Sequence, residues 1–299
     1  MWEKQLQLLQ SGDIKSLART ISLVENEVAG YDHFLKILPH SKTPVIGITG
    51  PPGAGKSTLV DALIATLVFQ KKKIGVICVD PSSPFSLGAL LGDRIRMSQW
   101  YNHPNVYIRS LATRGSLGGL HPKIIEITDV MKTAPFDMVI IETVGVGQSE
   151  VEIAGLADTT IVVVVPEAGD EVQTMKAGLM EVADIFVVNK SDRPGAGAFV
   201  KNLKLMVTAA MHKQAWAIPV VKTIASEKQG IEDLLHHINA HQQLVKNKSN
   251  QHWLLAEKAY HIIQVKRMKD VKKEELIKAI NQMDAGFNLY AFVENFKKK

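Results

Sequence analysis

The sequence has a single cysteine, Cys78, among 299 residues. That excludes an internal disulfide and any Cys-rich metal cluster, and it predicts a reducing compartment. Long hydrophobic runs are also missing: the strongest, such as Ile161 to Val165, fall far short of the ~20 apolar residues a membrane-spanning helix needs. The opening MWEKQLQLLQSGD lacks the apolar segment of a signal peptide and the Arg/Ser bias of a transit peptide. Together these absences predict a cytoplasmic protein. No basic stripe interleaved with aromatics appears in the central part of the chain, so a nucleic-acid module is not expected. Neither an internal repeat nor a low-complexity linker is visible, so the central domain is expected to run unbroken.

What is present is an ordinary globular composition. Apolar residues make up 46% and charged residues 22%, which rules out a disordered or collagen-like chain. The net charge of +5 is unevenly placed. From residue 240 onward there are 12 basic and 6 acidic residues, leaving 23 and 24 in the rest, so the basicity belongs to a C-terminal appendage. Apolar residues at helical spacing (Leu6, Leu9, Ile14, Leu17, Ile21, Val24, Phe34) predict two or three helices over 1–43, with a break and an Asp cap at Ser11-Gly12-Asp13. After Pro44, short β-branched runs alternate with helical patterns: Val45 to Thr49, Ile74 to Val79, Val106 to Ile108, Met138 to Ile141, Ile161 to Val165, Ile185 to Val188 and Val220 to Thr223. Near-continuous apolar strands of this kind predict an α/β domain over 44–240, a mostly parallel sheet flanked by helices. Residues 241–299 read as charged amphipathic helices with a break at Asp284-Ala285-Gly286.

The decisive motif is Gly50-Pro51-Pro52-Gly53-Ala54-Gly55-Lys56-Ser57-Thr58, which fits G-x-x-x-x-G-K-[ST] between an apolar strand and a helical pattern. Its glycines let backbone N–H groups converge on phosphate oxygens at a helix N-terminus. Lys56 would reach the β- and γ-phosphates, and the Ser57 hydroxyl would coordinate Mg²⁺. A second apolar strand ends in Glu142-Thr143-Val144-Gly145. That places a carboxylate where a Mg²⁺-facing acid belongs, with the Gly145 amide available to a γ-phosphate. A third ends in Asn189-Lys190-Ser191-Asp192. The Asp192 carboxylate can accept from the ring N–H and the exocyclic amine of guanine, a donor pair adenine does not present, so GTP is expected over ATP.

These residues together resemble the MeaB/ArgK family, methylmalonyl-CoA mutase-associated GTPases of the SIMIBI class of P-loop proteins. The likeness extends through Asp80-Pro81-Ser82-Ser83 with Leu91-Gly92-Asp93-Arg94-Ile95-Arg96-Met97, through Arg109 to Gly119, through Glu142 to Glu150, and through Ala168-Gly169-Asp170-Glu171 to Lys176. The resemblance implies a P-loop GTPase fold with a C-terminal helical dimerisation arm and a homodimer. It implies GTP/GDP and Mg²⁺ as ligands and an adenosylcobalamin-dependent acyl-CoA mutase as partner, whose cofactor loading or protection the GTPase gates. It places Asp80 and Asp93 in a first switch near Mg²⁺, Glu142 at the start of a second, and Pro166 to Lys176 in a third that communicates with the mutase. Arg94, Arg96 and Lys176 are then candidate donors to transition-state charge.

The sequence departs from the family pattern in places. The usual P-G-A-G-D is Pro166-Glu167-Ala168-Gly169-Asp170, the small residues usual before Leu91 are partly replaced, with Leu87 and Ala89 in the stretch, and the expected Ser-Ala of the fifth guanine element is Ile224-Ala225, followed by Ser226. Ala225 can still offer its amide to the guanine carbonyl, whereas Ile224 loses a hydroxyl. Two other functions remain to be weighed. A nickel-delivery GTPase of the same class would want a Cys/His-rich tract, against one Cys and ten scattered His here, of which His236-His237 are adjacent on a helical pattern. A transport-associated ATP-dependent kinase conflicts with the guanine motif.

Overall fold

A computed structural model of the chain describes residues 1–80, 97–113, 119–143, 145, 152–168, 177–210, 216–245, 249–268, 270–283 and 287–296. The expected break at 284–286, the family segments 81–96, 114–118 and 169–176, and residues 144 and 146–151 lie outside the described residues. Among the described residues no helix is long and apolar enough to cross a membrane.

Seven strands form one all-parallel sheet: β1 (Val45–Thr49), β2 (Ile74–Asp80), β3 (Val106–Ala112), β4 (Met138–Glu142), β5 (Thr159–Val164), β6 (Ile185–Val188) and β7 (Val220–Lys222), in the order β3-β2-β4-β1-β5-β6-β7. Side chains alternate across a strand, so residue parity assigns the two faces. Ile46 and Ile48, Ile74, Val76 and Cys78, Met138 and Ile140, Ile161 and Val163 share one buried cluster with Leu59, Val60, Leu63 and Ile64 of the helix α4 (Lys56–Phe69). The opposite face of β5 and β6 (Val162, Val164, Phe186, Val188) packs against Leu179 and Met180 and against Phe199, Val200 and Leu203. Cover on both faces is why these strands read as unbroken apolar runs. Each fully buried Leu or Ile contributes about 1.5–3 kcal/mol.

Three helices precede β1: α1 (Trp2–Gln10), α2 (Ile14–Glu25) and α3 (Tyr31–Lys36). Asp13 caps α2 by accepting from the Ser16 N–H at 2.6 Å, as expected for an Asp after Gly12. The helices are fastened to the sheet by charge as well as by apolar contact. The Arg109 guanidinium of β3 meets Glu25 at 2.6 Å, and Lys123, ahead of helix α5 (Ile124–Thr133), meets Glu27 at 2.8 Å and Glu126 at 3.1 Å. Burial disfavours the Lys123 ammonium, but the two carboxylates outweigh it and hold its pKa above the ordinary lysine value. Lys123→Ala would strand those carboxylates and is expected to destabilise the fold by about 1–3 kcal/mol, read as a lower denaturant midpoint at unchanged slope.

Helices α6 (Ala177–Val182), α7 (Ala196–Ala210) and α8 (Ile231–Val245) complete the cover of the sheet. His241 of α8 lies 2.9 Å from the Thr159 hydroxyl and 3.2 Å from the Asp184 carboxylate, which ties α8 to the amino ends of β5 and β6. The chain divides into two compact units, residues 1–252 and 253–299. The second begins within α9 (Ser249–Arg267) and contains α10 (Lys273–Ile280) and α11 (Leu289–Asn295). Asn288 caps α11 through the Ala291 N–H at 3.0 Å, and the Phe287, Phe292 and Phe296 rings form a small cluster.

Candidate nucleotide site

The central strand β1 runs directly into the glycine-rich loop, so the loop lies at the carboxyl edge of the sheet with β4 on one side and β5 on the other. Ligands bind in such crevices in open parallel sheets. Lys56 and Ser57 open α4 and are buried. The Lys56 ammonium donates to the carbonyls of Gly50 at 2.8 Å and Pro51 at 3.1 Å, which holds the positive charge over the loop.

Strand register explains how the second motif reaches the same place. Glu142 pairs with Ile48 of β1 and with Cys78 of β2, so it shares their α4-facing side. The Ser57 hydroxyl donates to the Glu142 carboxylate at 2.6 Å, and both groups are buried. Asp80, two residues beyond Cys78, has the same parity and is also buried at the end of β2. Gly145 passes so close to the loop that a Cβ there would collide with the Gly50 carbonyl and the Lys56 ammonium, and its φ of 80° favours glycine independently. Lys56, Ser57, Glu142 and Gly145 are therefore assembled in one place.

The third motif joins them through Asn189. Its side-chain amine donates to the Ala54 carbonyl at 2.9 Å, and its carbonyl accepts from the Thr223 hydroxyl and the Ala225 N–H, both at 3.1 Å. A Cβ on Gly55, at φ 87°, would collide with that amide. Lys190 has left-handed backbone, φ 56°, uncommon for a residue with a side chain. Its ammonium donates to the Gly53 carbonyl at 2.8 Å. The glycine-rich loop and the Asn-Lys-Ser-Asp loop thus brace one another.

The remaining expected residues are distributed differently. Pro52 and Gly53 are exposed on the loop and Thr58 is half-buried, while Asp192 and Ser226 are exposed and Ile224 is half-buried. The Ala225 amide, expected to face the guanine carbonyl, here donates to Asn189. Asp93 and Lys176, with Arg94 and Arg96, lie outside the described residues. Three contacts are not signalled by the motifs. Thr223 supplies a hydroxyl to Asn189 from the end of β7, one residue ahead of the Ile224 that lacks one. The Thr143 hydroxyl donates to the Thr49 hydroxyl at 2.8 Å, which locks the exits of β4 and β1 together. Arg193, next to Asp192, is paired with Glu167. A hydroxyl at a strand's carboxyl end is the only local signal for the two threonine contacts, and it is shared by many structural threonines.

Comparison with known proteins points to a family. Residues 17–283 match the family model described as methylmalonyl-CoA mutase-associated GTPase MeaB. The chain is 47% identical over 251 residues to a Pyrococcus abyssi protein named as a GTPase, covering 82% of this chain and 78% of the relative. It is also 37% identical over 239 residues to the fused isobutyryl-CoA mutase of Geobacillus kaustophilus, covering 75% of this chain and 22% of that longer protein. Among solved structures, that of an LAO/AO transport system kinase superposes with a TM-score of 0.69 at 27% identity, covering 98% of this chain and 89% of the other. With the family match spanning most of its length and the three nucleotide motifs brought together at one sheet edge, the chain belongs to the MeaB family of methylmalonyl-CoA mutase-associated GTPases.

Proposed function

We propose that the chain binds GTP and GDP with Mg²⁺ at this sheet edge, hydrolyses GTP slowly when alone, and uses its nucleotide state to gate cofactor loading or protection of an adenosylcobalamin-dependent mutase of the methylmalonyl-CoA mutase type. The observation that carries the nucleotide reading is the Asn189 side chain, which bridges the phosphate loop at Ala54 to the loop pair Thr223 and Ala225. A nucleotide spanning phosphate and base subsites needs that distance fixed. In this reading Gly50, Pro51, Pro52, Gly53, Ala54, Gly55 and Thr58 cradle the phosphates with Lys56, and Gly145 gives its amide to the γ-phosphate. Asn189, Lys190 and Asp192, with Ile224, Ala225 and Ser226, surround the base.

The donor chemistry fits Mg²⁺. The Ser57 hydroxyl and the Glu142 carboxylate are already in contact, and Asp80 is buried on the same side of the sheet. All three are hard oxygen donors, and Mg²⁺ needs few protein ligands because it retains waters. Ser57, Glu142 and Asp80 would hold it, with Asp93 added by the family pattern. When bound, the ion neutralises charge building on the β- and γ-phosphate oxygens. Lys56 does the same from the loop side, and Lys176 is the family-pattern candidate for a further cation. The motif residues supply groups that bind and polarise, and the sequence offers no obvious general base, so turnover by the chain alone is expected to be slow.

Two features support the mutase as partner: the family's description, and a relative in which a homologous region is fused to a mutase. The homodimer reading draws on the 253–299 unit, whose Trp253, Leu255, Tyr260, Ile277 and Tyr290 are exposed. Apolar surface of that kind is suited to a second copy. The testing experiment measures GTP hydrolysis with and without adenosylcobalamin-dependent acyl-CoA mutases. Severalfold stimulation by a cognate mutase is expected, and equal rates with every candidate would sink the chaperone reading. The transport-kinase alternative, suggested by the name of one structural relative, requires ATP to displace bound GDP as well as GTP does.

A further inference from the structure

Glu167 stands where the family pattern has glycine, and the phosphate and guanine motifs do not account for it. It lies in the single 3₁₀ turn Pro166–Ala168 that leaves β5. The Arg193 guanidinium donates to its carboxylate. Arg193 directly follows Asp192, and its own N–H donates to the Lys190 carbonyl at 3.1 Å, which closes the turn that presents Asp192. This turn is held from other sides as well. Lys190 reaches the phosphate loop at Gly53, and the Ser191 N–H donates to the Thr223 carbonyl at 3.1 Å on the β7 side. The Glu167 contact supplies the hold from the β5 side. The Arg193 hydrogen bond also keeps the Glu167 carboxyl below its usual pKa.

We infer that Glu167 and Arg193 form a latch that steadies the base-reading turn and slows release of the guanine nucleotide. The inference rests on reading residues 189–192 as the guanine-binding loop. Neither residue touches the base; both are positioning residues acting through the backbone of Lys190 to Arg193. Because both side chains are about half exposed, the effect is bounded by what a surface ion pair supplies and is weakened by salt.

Release of a fluorescent GDP analogue from the full chain tests this, with Glu167→Gly, Arg193→Ala, the double variant and the charge exchange Glu167→Arg with Arg193→Glu. Each single variant is expected to speed release about two- to fivefold, the range open to an exposed ion pair. The double variant should be no faster than the singles, the exchange should return release toward the original rate, and raising salt should erase the difference. Melting temperatures should barely move, which separates this role from a purely structural one. Release unchanged in both single variants, or effects that simply multiply in the double, would overturn the latch while leaving the guanine reading intact. If inosine or adenine diphosphates compete as well as GDP in the unmodified protein, the guanine reading fails, and the latch with it.

Discussion

Replacing Lys56 by methionine is expected to slow GTP hydrolysis about a thousandfold, equivalent to roughly 4 kcal/mol of transition-state stabilisation. The ammonium is buried at the head of α4, held over the loop by two of its carbonyls and covered by Gly145. A charge fixed there costs no reorganisation as negative charge builds on the transferring phosphoryl group, and in a water-poor site it counts for more than in solvent. Methionine keeps most of the stem and removes the charge, so the core beneath α4 should survive. Single-turnover hydrolysis at saturating GTP and Mg²⁺, with the melting temperature alongside, is the measurement. A rate within tenfold of the unmodified protein at full nucleotide occupancy would remove Lys56 from the chemistry. The companion change Ser57→Ala acts on Glu142 as well, since it takes away the donor that Glu142 accepts at 2.6 Å.

Much of this site is legible in the sequence because each motif is local and sits at the end of an apolar run. Gly50 to Ser57 follow β1, Glu142 to Gly145 start at the last residue of β4, Asn189 to Asp192 follow β6, and parallel order brings those three ends to one edge. What the sequence hides is non-local. β3 is expected to end at Ile108 because Arg109 and Ser110 interrupt the apolar pattern, yet the strand continues to Ala112. It is an edge strand whose Arg109 is neutralised by Glu25, more than eighty residues away. β5 similarly starts at Thr159, two residues before the apolar run. The buried Thr159 hydroxyl meets His241, and the Thr160 backbone N–H donates to Asp184, partners far along the chain. Thr223 escaped for the same reason: its importance lies in the distance to Asn189, not in its neighbours along the chain.

The same contrast bears on the departures from the family pattern. Ile224 lacks the expected hydroxyl; on either side of it, the Thr223 hydroxyl and the Ala225 N–H both donate to the Asn189 carbonyl. Glu167 adds a charge, and its counter-charge is Arg193, next to the Asn-Lys-Ser-Asp motif. Neither change touches the Lys56, Ser57 and Glu142 cluster.

Asp192→Asn carries the second large expected effect, a reversal of base preference. Guanine offers two donors on one edge, the ring N–H and the exocyclic amine, and a carboxylate accepts from both. An amide offers one acceptor and one donor, so the exocyclic amine would face an N–H₂ group. Losing one charge-assisted hydrogen bond and opposing two donors is expected to weaken GDP binding by about a hundredfold or more, roughly 3 kcal/mol. Xanthine carries a carbonyl where guanine carries that amine, so the amide's donor finds an acceptor and xanthosine diphosphate should become the better ligand. The fold should be indifferent, because Asp192 is exposed while Asn189, Lys190 and Ser191 make the contacts that brace the loop. Competition of GDP and xanthosine diphosphate for one labelled nucleotide gives the answer directly. If the variant keeps the original preference, Asp192 is only a solvated turn residue, and the base must be read from the Thr223–Ser226 side instead.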